Sequence, residues 1–162
     1  NLSAHYQKVR IPGAGILKNT EVHELVMESD VFINVPVLKN HGSAKLTVSM
    51  KNLMGVVWDR GWWHASGLHE CIADFCLYRK PDLNIVDAYA VMMRNGPRGV
   101  TVNDVTIMKT LIASPDMVAA DAAATRVFGL AVNQVRHIPL AHEKRIGRMD
   151  LENLNIKRID LQ

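Results

Sequence analysis

Residues 34–55 read NVPVLKNHGSAKLTVSMKNLMG. Together with the preceding DVFI, the run DVFINVPVL at 30–38 is short, apolar and β-branched, which marks a buried strand. Pro36 lacks an N–H, so a hydrogen-bonded ladder must end or bulge beside it. From Lys39 the character changes, and Lys39, His41, Lys45, Lys51 and Asn52 follow within a few residues. Ligands of open α/β sheets sit beyond the carboxyl ends of strands. The stretch therefore reads as a core strand through Leu38 that delivers polar groups from Lys39 onward. Ser43 is read as the cap of a following helix, with Leu46, Met50, Leu53 and Met54 on its apolar side and Ser43, Thr47 and Lys51 as a polar stripe. The alternation Leu46–Val48–Met50 is the competing strand signal.

Upstream, GAGILKN at 13–19 is a turn-rich lead-in, and Asn19 or Thr20 caps a predicted helix over 20–28 with Glu21 and Glu24 in its first turn. Downstream, 56–68 is an irregular flap carrying Trp58, Trp62 and Trp63, and 69–80 is an amphipathic helix ended by Pro81. Strands are expected at 83–91 and 106–114, around the Gly/Pro loop RNGPRG. A helix follows, with Ser114 as cap, Pro115 in the first turn and Gly129 closing it. A short helix at 137–147 and a terminal strand at 154–162 complete the chain. Strands separated mostly by helical crossovers indicate an α/β fold, with a mixed or largely parallel sheet flanked by helices. No internal boundary divides it, so residues 1–162 are expected to form a single domain.

A 48% hydrophobic chain of 162 residues can bury an ordinary core. The net charge of +3 is dispersed, without the basic blocks and interleaved aromatics of a nucleic-acid reader, and fits a small anionic ligand. No apolar run reaches the roughly 18 residues of a membrane span, so a soluble chain with a lean to the cytoplasm is expected. Cys71 and Cys76 are spaced as neither a zinc knuckle nor a ferredoxin run and read as small core residues. The chain starts NLSAHYQ, without an initiator Met or a signal peptide, which reads as a fragment or a processed product.

Lys39 and His41 are two apart on an extended chain and point the same way. An ammonium beside an imidazole is a poor structural pair but a good anion clamp. Lys51 and Asn52 would enter it from the following helix, whereas Lys45 reads as solvated. His41 would be the general acid/base, and Asp87, at the end of LNIVD, would orient it, bind a metal or cap the next turn. The tight turn Asn95-Gly96-Pro97 offers backbone N–H groups to an anion. Asp121 lies in the small apolar run VAADAAA, where a buried carboxylate needs a partner, either a ligand or a loop backbone. Asp116 is explained by its place in the first turn of that helix. His41, His64 and His69 form a candidate three-imidazole site for a divalent transition metal, although no H-x-x-x-H or H-E-x-x-H spacing supports it. His5, His23, His137 and His142 have no evident partners. There is no Walker loop, G-x-G-x-x-G or G-x-S-x-G elbow.

Taken together, Pro36, Lys39, His41, Thr47, Lys51, Asn52 and Gly55 resemble the signature of the DUF362 family, a strand ending P-x-x-K-x-H followed by a Thr and K-N-x-x-G. IADFCLYRKPDLNIVDA, NGP and LIASPDMVAADAAATRVFGL extend the resemblance over about 30–130. Members of that family often carry a ferredoxin-like segment with 4Fe-4S motifs; this chain has none, so an iron–sulfur cluster is not carried over. The resemblance also implies an upstream half. A sheet without its first strands would expose an apolar edge, so a second copy or the missing half is expected to pair with it. Two functions follow as expectations. One is a redox-linked enzyme on a small anionic substrate. The other is a binding or scaffold module that works with an iron–sulfur or metal-carrying segment.

Overall fold

In the computed structural model, which describes residues 2–160, a two-stranded antiparallel hairpin opens the fold. β1 (Tyr6–Arg10) pairs with β2 (Asn19–His23), Tyr6 opposite His23 and Arg10 opposite Asn19. The helix expected at 20–28 is thus reduced to α1 (Glu24–Glu28), capped by the His23 ring, which accepts from the Leu25 N–H at 3.3 Å. The register of β1 captures Thr20 and Val22, whose branched side chains suit a pleated strand, and Val22 is fully buried.

The main sheet contains β3 (Ile33–Asn34), β4 (Val37–His41), β5 (Lys45–Thr47), β6 (Leu83–Met92) and β7 (Val105–Ser114). β3 and β4 are two pieces of one path beside β6, both parallel to it. Pro36 divides them as its missing N–H requires; its carbonyl still accepts from the Asp87 N–H at 2.9 Å. The register then slips, from Val37 opposite Asp87 to Lys39 opposite Met92. β5 folds back antiparallel on β4, and β7 runs antiparallel to β6, so the sheet is mixed. β4 carries on to His41 because β5 pairs with it there, His41 opposite Lys45 and Lys39 opposite Thr47. The helix expected from Ser43 accordingly starts only at Ser49, as α2 (Ser49–Asn52).

The flap expected at 56–68 contains α3 (Arg60–Ser66), whose first turn is capped by Asp59 accepting from the Trp62 N–H at 3.1 Å. Trp63 is buried against Phe75, while Trp58 and Trp62 remain exposed. α4 (Leu68–Phe75), α5 (Met117–Val127) and α6 (His137–Glu143) complete the helices. The cap of α5 is Asp116, not Ser114: its carboxylate accepts from Val118 and Ala119 N–H, and the Ser114 hydroxyl accepts from Asp116 N–H. Residues 154–160 carry no strand, since no neighbour offers them a ladder; 161–162 lie outside the described residues.

α2, α4, α5 and α6 pack on one another, and α5 packs on β6 and β7. The inward residues Leu38, Val86, Ala88 and Val91 meet Ile72, Ala120, Ala124 and Ile138 there, all fully buried. On the opposite face Val37, Tyr89, Ile107 and Leu111 are exposed. Cys71 and Cys76 are buried free thiols, and burial raises the pKa of both. Asp74, also buried, gathers the backbone N–H groups of Gly15, Ile16 and Leu17 at 2.8–3.1 Å and the Lys144 ammonium at 3.0 Å.

Candidate functional site

α2 is only four residues long, too short to hold itself together. Its position is imposed from outside. The Asp121 carboxylate of α5 accepts from Ser49 N–H at 2.7 Å and Met50 N–H at 3.2 Å, satisfying two donors that a helix start leaves open. An asparagine ladder holds it from the sheet side. Asn34 donates to the Ser49 carbonyl and to Asn84 Oδ1, both at 3.0 Å; Asn52 donates to Asn34 Oδ1 at 2.8 Å; Asn84 donates to the Ser114 carbonyl at 3.2 Å. Asn52, a predicted ligand contact, therefore gives one amide N–H to the ladder.

Lys51 is fixed by this scaffold and is only 8% exposed. The one hydrogen bond of its ammonium among the described residues is to the Met54 thioether at 3.5 Å, a weak acceptor. Burial lowers its pKa first, and the charges of Lys39 and Arg60 lower it further. His41 is pushed down to about 4 by burial, then by Lys51, His64 and Lys39. Burial and Lys51 lower His64 as well, and its ring stacks on His41 with centroids 6.3 Å apart. Thus β4, α2 and α3 bring Lys39, His41, Lys51, Arg60 and His64 to one place. Among the described residues none of these five forms an ion pair with a carboxylate. His41 Nδ1 accepts from the N–H groups of Ser43 and Ala44 at 3.2 and 3.3 Å, so the proton of the neutral ring belongs on Nε2.

A second group lies beneath. His69, half-buried on α4, and His137, fully buried on α6, meet through their Nδ1 atoms at 3.0 Å. His137 Nε2 makes no hydrogen bond and faces Asp121 Oδ2 at 3.9 Å. Burial drives His137 down to about 3 and Asp121 up to about 7. Lys51 also acts on His137, which makes it electrostatically common to both groups.

The other predicted residues lie apart. Asp87 is exposed opposite Val37 and accepts from the Tyr89 N–H at 2.9 Å. Asn95 donates to Asp104 at 2.8 Å, and the Gly96 N–H is taken by Asn40 Oδ1 at 3.0 Å. A Cβ on Gly96 would collide with the Asn40 carbonyl, so this turn presses on the end of β4 as only glycine can. The three imidazoles do not gather: His41 stacks on His64 while His69 turns to His137, and no group of three His, Cys, Asp or Glu among the described residues is placed to hold a metal ion.

With this geometry in view, comparison with known proteins gives a family. The family model described as a domain of unknown function, DUF362, matches residues 1–126. The chain belongs to the DUF362 family. One relative, the thylakoid-associated protein sll1697 of Synechocystis sp. (strain ATCC 27184 / PCC 6803 / Kazusa), is 32% identical over 129 residues. That alignment covers 75% of this chain and 39% of the relative, so the chain spans about two-fifths of that protein's length. No solved structure matches. Among the described residues no helix is long and apolar enough to cross a membrane.

The DUF362 match includes the cationic cluster, His69 and Asp121, and stops before His137. Sequence reasoning missed Arg60 and His137. Arg60 sits in what reads as a loop, and His137 is separated from His69 by 68 positions, so no local spacing ties the pair. The readable signal was Asp121, a carboxylate in an alanine run whose partners had to be distant.

Proposed function

We propose that Lys39, His41, Lys51, Arg60 and His64 bind a small oxyanion, a carboxylate or phosphate, and that the DUF362 fold here presents it for proton-transfer chemistry. The observation that supports this is Lys51. A buried ammonium facing a thioether, among other cationic groups, is costly unless a negative charge completes it. An oxyanion would replace the missing acceptor and relieve the repulsion. In that arrangement Lys51 and Lys39 supply charge, Arg60 adds a planar fork at the exposed rim, and His41 donates from Nε2 as a neutral imidazole. His41 is thus a specificity donor that prefers an acceptor oxygen, and His64 stacks to hold its ring.

The test is titration of the protein with inorganic phosphate and with acetate, following the His41 and His64 ring signals by NMR. Saturable shifts in the millimolar range or tighter, lost in Lys51→Met, are the expected result. Rings that stay unmoved by both anions, or that respond equally well in Lys51→Met, would refute the site.

A further inference from the structure

The Asp121–His137–His69 line is not needed to hold an anion. Asp121 already has a structural task at the start of α2, and two backbone donors suffice for that. Nothing in such a task calls for a buried imidazole on its far side, or for a second imidazole leading outward. Counting protons shows what the line requires. His69 has one ring nitrogen on His137, and burial, the largest influence on it, disfavours its charged form. Between the two Nδ1 atoms one ring donates and the other accepts. When His137 donates, its Nε2 is left without a proton 3.9 Å from Asp121 Oδ2, and a proton on Asp121 suits it; when His137 accepts, its Nε2 carries the proton and an Asp121 carboxylate suits it. The protonation of the three groups is therefore linked, although the 3.9 Å gap holds no hydrogen bond.

From this geometry we infer that Asp121, His137 and His69 form a proton relay that connects the interior to the anion site, with His69 as its outer, acid–base end. The inference rests on the oxyanion reading for what His69 would protonate, and on the three side chains alone for the relay itself. Ser43 lies between the two sites, since its N–H bonds to His41 and its backbone acts on the charge of His69. Transfer outward is balanced. Once Asp121 and His137 close from 3.9 Å to hydrogen-bond distance, the Asp121 proton passes to His137 Nε2, the His137 Nδ1 proton passes to His69 Nδ1, and His69 releases the proton of its other nitrogen to an acceptor beside it. No covalent bond other than these N–H and O–H bonds changes. The negative charge that appears on Asp121 is met by Ser49 and Met50 N–H, with the Ser49 hydroxyl lying against it without a well-formed hydrogen bond. Uptake runs the same steps in reverse. Asp121 and His137 are positioning residues in this scheme, acting through His69.

The charged groups around the line favour such a shared proton. Glu70 favours the charged form of His69 and Arg136 opposes it; those two also pair with each other. Lys51 and His69 disfavour a charge on His137. Asp116 disfavours a charge on Asp121, whose own charge raises the Cys76 thiol. Burial opposes a charge at all three positions, His69 included, which favours the uncharged form of the whole line.

The experiment is an NMR pH titration of the anion-free protein, reading the His69 and His137 ring nitrogens and the Asp121 carboxyl carbon. The relay predicts that the Asp121 carbon and the His69 nitrogens change with a common midpoint. It also predicts that Asp121→Asn moves the His69 midpoint by about one pH unit or more, the size expected of coupled sites. An Asp121 carbon that titrates alone, or stays constant while His69 titrates, would overturn the relay using wild-type protein only, whether or not the variant folds. So would a His69 midpoint indifferent to Asp121→Asn. Lys51→Met separates this result from the anion site: coupled titration without anion binding refutes the site and leaves the relay, and anion binding with uncoupled titration does the opposite.

Discussion

His69 and His137 stand with their Nδ1 atoms 3.0 Å apart and their rings inclined by only 21°, so one nitrogen must donate and the other accept. That constraint ties the protonation of a half-buried ring on α4 to a fully buried ring on α6, and through it to a carboxyl on α5.

Asp121→Ala should destabilise the fold by about 2–4 kcal/mol, because it strands two buried N–H groups and leaves a void beside His137. Asp121→Asn keeps the shape and one acceptor oxygen and should cost less than half as much. Urea denaturation of both variants measures the difference; equal losses would mean that the N–H groups of Ser49 and Met50 find other partners.

Lys51→Met should leave stability unchanged or raise it by about 1 kcal/mol, because it removes a buried charge repelled by Lys39 and Arg60 while conserving most of the volume. A clear fall in melting temperature would show that the ammonium is compensated in the free protein.

Stability should decline as pH falls from about 6.5 toward 4. Unfolded imidazoles take up a proton near 6.5, whereas His41 resists until about 4, and His64 and His69 also titrate below their ordinary value. The unfolded chain thus holds more protons in that window, and the stability present above it is lost on acidification. The buried pair adds almost nothing to this slope. At pH 5 the unfolded pair carries its proton on the imidazole, whereas the folded pair, with Asp121 at about 7 and His137 at about 3, carries it on the carboxyl. Phosphate should flatten the decline by favouring protonated His41. Denaturation midpoints across pH 4–7, with and without phosphate, check both statements; a slope of opposite sign would contradict the assignment.

Gly96→Ala should cost about 2 kcal/mol or more, because the new methyl group must displace the Asn40 carbonyl and with it the end of β4. The same variant should weaken phosphate binding, since Lys39 and His41 flank Asn40. An unperturbed His41 ring signal in Gly96→Ala would show that the strand end tolerates the shift.

The strand through Leu38 was read as buried, yet Ile33, Val35 and Val37 are exposed because only one side of the sheet is covered by helices; its path, the break at Pro36 and the long strands β6 and β7 were legible because each depends on a local pattern. So was the gathering of Lys39, His41 and Lys51, since a polar burst after an apolar strand has a simple geometric meaning. Helix signals at 20–28 and from Ser43 misled for one reason. In both places a neighbouring strand competes for the same residues, β1 for 19–23 and β4 for 45–47, and propensity over a few residues cannot outweigh a ladder. The grouping of His69, His137 and Asp121 was illegible because its members lie on three helices, and nothing in their spacing announces that the helices meet.

Asp74 carries a further consequence. Its carboxylate binds the 15–17 turn on one side and Lys144 on the other, and His137 closes over Asp121 in the same way from α6. The match to the family ends at residue 126, one residue before α5 ends. A chain trimmed at that border would retain Lys39, His41, Lys51, Arg60 and His64 and yet strip Asp74 of Lys144 and Asp121 of His137, and lose the buried Ile138 and Ala141. A chain ended at residue 126 should therefore be less stable than one carried through Lys144, and denaturation of the two would show it.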